Sequence, residues 1–221
     1  MAKVLLKYSL LIQFVLCINL LWVHGQTNLK LVTHYLFPEF TKGVVLMKTG
    51  FRNEVVINYN SLTQEMIFET RGTKLALGLL ESIDTVFIAD RKFIPKQNYF
   101  IELVFKSKYS LYVDHKCKLK DPGKPAGYGG TSQTSAITTY STYLTGGRAY
   151  EMKLPEGFEV QSSIEYWLDK DGKLNKFISI RQLSKLFDEE ESLYKAYLKK
   201  HEVNYDDRAS IIELLRHMGA N

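Results

Sequence analysis

From Gly43 to Leu119 apolar residues recur with a period of two, and Gly, Asn and Ser interrupt them every ten residues or so. Few backbones fit that rhythm. A residue that alternates faces belongs to a strand, and short β-branched and aromatic runs between turn residues belong to antiparallel neighbours. In "EVVINY" Val55, Ile57 and Tyr59 share a face; "EMIFET" follows the turn-like "NSLTQ", and "KLALGL" follows Arg71-Gly72. "IDTVFIAD" sets Ile83, Thr85 and Phe87 against Asp84, Val86 and Ile88, so both of its faces are largely apolar. "YFIELVFKSKYSLYVDHKCKL" reads as two strands joined by a tight turn near Ser107-Lys108.

Strand signals resume after the 120s and 130s in "RAYEMKL" and in "SIEYWLDKDGKLNKFIS", the latter a hairpin about Asp171-Gly172. The last forty residues change period. Ser179 with Gln182 forms a capping box, after which Ile180, Leu183, Leu186 and Phe187 fall on one helical face. Asp188 with Glu191 is expected to repeat the device before "SLYKAYLKKH". Asp206 or Asp207 opens a last helix with Ile211, Ile212, Leu215 and Met218 as its apolar stripe and Gly219 as its stop. In "LKKHEVNYDDR" between these helices, Val203 or Tyr205 is expected to tuck beneath the connection. The expected class is α+β: mainly an antiparallel β-sheet or small barrel, followed by a C-terminal segment of two or three helices. A helical tail ending "HMGAN" argues against an outer-membrane barrel.

The N-terminus carries Lys3 and Lys7, then "LLIQFVLCINLLWVHG", with Val23 and Gly25 at the small-residue positions before Gln26. This is the layout of a secretory signal peptide cut after Gly25. The apolar run from Leu10 to Val23 is shorter than the ~20 residues of a spanning helix, so no transmembrane span is expected after cleavage. Leu16 before Cys17 does not suit a lipidation site. Cleavage leaves Cys117 as the one cysteine, which forbids an internal disulfide, so packing alone must hold the fold. It also narrows the basic excess of 29 Lys and Arg over 24 Asp and Glu, too balanced for a nucleic-acid partner. The expected domains are residues 1–25 as signal peptide and 26–178 as a β-rich domain with a Gly/Ser/Thr/Tyr-rich loop at 121–147. Residues 179–221 form the helical segment.

Within that loop "GYGGTSQTSAITTYSTYLTGG" carries no charge. It lacks the Lys-Ser pair and following helix of a phosphate loop. Tyr128, Tyr140 and Tyr143 offer contact area, and Ser132, Thr134 and Ser135 offer adaptable hydrogen bonds, a mixture suited to binding; a solvated connection or a further strand fits the same composition. "DKDGKLN" lacks the Gly and Glu of a calcium loop, where Leu174 and Ile180 stand instead. His115 and Cys117 share a strand face, but no third ligand or orienting group is evident, and neither an HExxH nor a GxSxG motif occurs. Metal and cofactor sites are therefore not expected. Tyr166 and Trp167, near Phe158 and Tyr150, suggest an aromatic sugar platform or core packing.

Taken together, "GVVLMKTGFRNEVVINYNSLTQEMIFE", "DRKFIP", "GYGGTSQTSA" and the hairpin-plus-helices tail resemble secreted envelope proteins of Bacteroidota whose function is uncharacterised, over about residues 40–218. The resemblance implies a periplasmic or outer-membrane-associated location and transfers no functional residues. The expected function is a non-enzymatic exported protein that binds an envelope protein partner as an accessory subunit. The alternative is a glycan- or peptidoglycan-binding module using the loop tyrosines, Tyr166 and Trp167; a second is a hydrolase without a recognisable motif.

Overall fold

The computed structural model describes residues 34–120, 124–125, 131–132 and 159–220, all within the compact unit Val32–Asn221. The signal-peptide expectation, the expected strand "RAYEMKL" with Tyr150, Phe158, and most of the 121–147 stretch, including Tyr128, Thr134, Tyr140 and Tyr143, lie outside the described residues.

The strands are β1 Thr41–Met47, β2 Arg52–Asn60, β3 Glu65–Thr70, β4 Thr73–Ala76, β5 Ile83–Ile88, β6 Arg91–Lys96, β7 Tyr99–Lys106, β8 Ser110–Lys120, β9 Lys124–Pro125, β10 Thr131–Ser132, β11 Glu159–Lys170 and β12 Lys173–Phe177. Helices α1 Ile180–Ser184, α2 Glu191–Leu198 and α3 Arg208–Gly219 follow. Ten strands form one antiparallel sheet in the order β12-β11-β8-β7-β6-β5-β1-β2-β3-β4, while β9 and β10 pair separately. The sheet stays open, with β12 and β4 at its ends; of the two expected forms, the sheet is present and the small barrel is not. Hairpin turns at Arg71-Gly72 and Asp171-Gly172 have positive φ at both residues, the backbone that matches strand twist.

One row of directly paired residues crosses β1, β5, β6, β7, β8, β11 and β12: Val45, Val86, Phe93, Glu102, Val113, Tyr166 and Phe177. All are buried. At the β12 end this face is covered by the helices, which press Leu183, Phe187, Tyr194, Ile211, Leu214, Leu215 and Met218 onto Leu111, Val113, Tyr166, Leu168 and Phe177. The helical segment therefore shares the sheet's core. At the other end Ile57, Tyr59, Met66, Val86, Ile88, Phe93 and Phe100 pack on one another.

The helix signals hold in part. Ser179 caps α1, its hydroxyl accepting from the Gln182 N–H at 3.2 Å, and Asp207 caps α3 through the Ala209 N–H at 3.0 Å. Val203 and Tyr205 both pack against the helix-covered core. Asp188 does not cap α2: the 3-10 turn Lys185–Phe187 continues helically through it, and the cap position falls to Glu190 with no side-chain bond. Gly219 is not a left-handed stop but the last helical residue; a Cβ there would lie 3.2 Å from Ser107 Oγ and 3.3 Å from Lys108 Cβ, so close packing on the β7–β8 turn is the physical reason for glycine.

Between β7 and β8 the paired register runs as far as Glu102–Val113. Beyond it the end of β2 and the β2–β3 turn take up backbone groups of the two strands. Tyr59 Oη stands 3.3 Å from the Phe100 carbonyl oxygen and 3.2 Å from that of His115, and Ser61 O accepts the Cys117 N–H at 3.0 Å.

Candidate functional site

Where β7 and β8 part, charged and aromatic side chains gather on the face opposite the core. The register sets Glu165 of β11 directly across from Asp114 of β8, and sets Trp167 between Tyr112 of β8 and Lys176 of β12. Asp114 is fully buried, because the β2–β3 turn reaches over it and the Gln64 side-chain amide donates to its Oδ1 at 2.6 Å. Lys116 Nζ bridges the two acids, 2.6 Å from Glu165 Oε2 and 3.2 Å from Asp114 Oδ2, the latter an ion pair off the hydrogen-bond direction. Lys176 Nζ adds a second cation 2.8 Å from Glu165. Burial alone would raise the Glu165 pKa, but the hydrogen bonds and charges of Lys116 and Lys176 outweigh it and hold the carboxyl below its ordinary range.

Lys96 of β6 donates to Tyr99 Oη at 2.8 Å and stands 3.0 Å from the centre of the Trp167 ring. Desolvation lowers its pKa, the nearby Lys116 and Lys176 adding to the effect while Asp114 and Glu165 oppose it. The indole Nε1 of Trp167 is buried with no hydrogen-bond partner among the described residues. An aromatic ring with the Lys96 ammonium on its face, flanked by two further lysines and two carboxylates, can stack a flat apolar surface and bond polar groups around its rim. It is poorly made for acid–base hydrolysis, since neither carboxylate stands free of Lys116.

A second charged cluster interrupts the core face. Glu102 accepts both Arg91 Nε and Nη2 at 2.6 Å, a bidentate pair, and its Oε2 is also 2.6 Å from His115 Nε2 and 3.6 Å from Arg208 Nη1 at the start of α3. Burial would raise the Glu102 pKa; hydrogen bonds from His115 and Arg91 prevail and bring it to about 2. Arg91 also lies over the Phe37 and Phe93 rings. The cluster fastens α3 to the sheet at the boundary between the two halves of the core. His115 and Cys117 share a face as expected, but burial pushes the Cys117 thiol up to about 11, which disfavours the thiolate that a nucleophilic pair needs.

The expected aromatic pair divides between the two faces. Trp167 belongs to the polar face. Tyr166 lies on the other, fully buried, stacked on Phe177 and edge-on to Tyr205, and cannot contribute to a platform. The physical reason is strand alternation, which sends neighbouring residues to opposite faces. Ser132 is placed by its backbone in β10, away from the main sheet's ladder. Asp114, Lys116, Glu165, Lys96, Lys176 and Gln64 went unrecognised in the sequence. A signal was present: Tyr112, Asp114 and Lys116 alternate with Leu111, Val113 and His115, so one face of β8 is polar along its length.

Among the described residues no group of three or more His, Cys, Asp or Glu side chains could hold a metal ion, and no helix is long and apolar enough to cross a membrane. No protein-family model matches the chain, and no curated protein or solved structure matches it.

Proposed function

We propose that this is a non-enzymatic exported binding protein of the cell envelope, and that the Trp167 face takes an acidic saccharide. The observation behind this reading is Lys96 seated on the indole ring. A sugar's C–H face stacks on the same ring surface, and a carboxylate on the sugar would draw the Lys96 ammonium aside into a charge-assisted hydrogen bond. Lys176, 40 % exposed, would meet a second acidic group. Isothermal titration with uronic-acid oligosaccharides tests it: wild type is expected to bind, and Trp167→Ala to weaken binding at least tenfold. A flat titration with wild type across neutral and acidic glycans ends the reading.

A protein partner is the second reading, favoured by the outer edge of β4, where Leu75 is exposed beside a strand backbone that pairs with no further strand among the described residues. Affinity purification from cross-linked envelopes should then recover one stoichiometric protein that is lost with Leu75→Lys. Recovery of this chain alone removes that reading.

A further inference from the structure

Two turns meet at one end of the sheet. Lys48 N–H donates to the Ser82 carbonyl at 2.9 Å, tying the β1–β2 turn to the segment that joins β4 to β5. Each carries one bulky apolar residue that the fold does not use: Phe51 is 65 % exposed and Leu79 72 %, the two most exposed large hydrophobic side chains among the described residues.

Leu79 is held at φ 53° and ψ 46°. The other non-glycine residues with positive φ, Gln64, Arg71, Ala89, Gln97 and Asp171, all sit in hairpin turns between adjacent paired strands, where closing the turn demands it. Leu79 closes no hairpin. Asn or Gly would adopt this backbone at lower cost, and the leucine side chain gains no burial in return. Strain retained without a packing reason directs attention to function. Around Phe51, Lys48 and Arg52 are both exposed and form no ion pair among the described residues; Glu81 is the one acid in the two turns.

We infer that this tip dips into an anionic lipid surface, with Phe51 and Leu79 entering the headgroup boundary and Lys48 and Arg52 meeting lipid phosphates. The small apolar area favours lipid over protein: two exposed side chains on adjoining turns fall far short of the roughly 800 Å² per partner that a stable protein interface buries. They suffice for weak, reversible attachment to a fluid surface when basic residues flank them.

The test is co-sedimentation of the protein, as the cell processes it, with vesicles of phosphatidylglycerol and phosphatidylethanolamine and with vesicles of phosphatidylcholine alone. Binding is expected to the anionic vesicles and to fall with added salt. Phe51→Ser and Leu79→Asn should each lower the bound fraction at least tenfold, while Leu79→Asn leaves the melting temperature unchanged or higher because the strain is relieved. Wild type failing to sediment with anionic vesicles overturns the inference, as does Leu79→Asn binding like wild type. Photo-cross-linking from position 51 that captures a protein in place of lipid overturns it too.

Discussion

At the scale of single residues, Gly43 shows how an unassuming position constrains the fold. It lies in β1, paired to Val55 on one side and Ile88 on the other. A Cβ there would stand 2.5 Å from Ile57 Cγ2 and 2.6 Å from the Phe87 carbonyl oxygen. The first contact can yield by a rotamer change, but the second is backbone in the neighbouring strand. Gly43→Ala is therefore expected to destabilise the protein by roughly 1–3 kcal/mol, read from urea unfolding midpoints. Unchanged midpoints would show that β1 and β5 shift apart freely. Nothing in "TKGVVLM" announces this. The glycine reads as a strand weakener, and its use appears only when β2 and β5 close on it from both sides.

Among the elements, what the sequence made legible is local. Period-two runs pointed to most strands of the main sheet because alternation sends neighbouring residues to opposite faces, and Ser179 and Asp207 located helix starts because their side chains satisfy backbone N–H groups of the first turn. Asp188 misled, since a cap depends on where the preceding 3-10 turn releases the chain. The candidate site was less legible still. Trp167 was singled out, but its partners come from β6, β8, β12 and the β2–β3 turn. Where β7 and β8 part, Tyr59, remote from both in sequence, brings its hydroxyl to one carbonyl of each strand. No window of "YFIELVF" or "YVDHKCK" contains that information.

For the whole molecule, acid should act in two stages. His34 is buried with both ring nitrogens unpartnered among the described residues, and burial, with the nearby Lys74 charge, lowers its pKa to about 4. Its neutral form is the one the fold accepts. The associated stability is complete above the unfolded value of 6.5 and drains away as pH falls towards 4, about 3 kcal/mol in all. Glu102, lowered from 4.5 to about 2, holds its contribution above pH 4.5 and loses it as pH falls towards 2. Melting temperature measured from pH 7 to pH 3 should begin to drop below pH 6.5, and His34→Leu should delay the drop until Glu102 titrates. A wild-type curve flat from pH 7 to pH 4 would dismiss the histidine's part.

Glu102 stands midway along an otherwise apolar row that crosses the sheet. Valines and aromatics tolerate a neighbour displaced by two residues, since such a slip keeps every side chain on its own face. A carboxylate clamped by the fork of Arg91 does not, because any displaced pairing of β6 with β7 would bury the acid away from its counter-charge. The charge that interrupts the stripe thus works like the notch of a key: it rejects near-miss alignments that greasy surfaces alone would accept, and so lets one zipper close in one position.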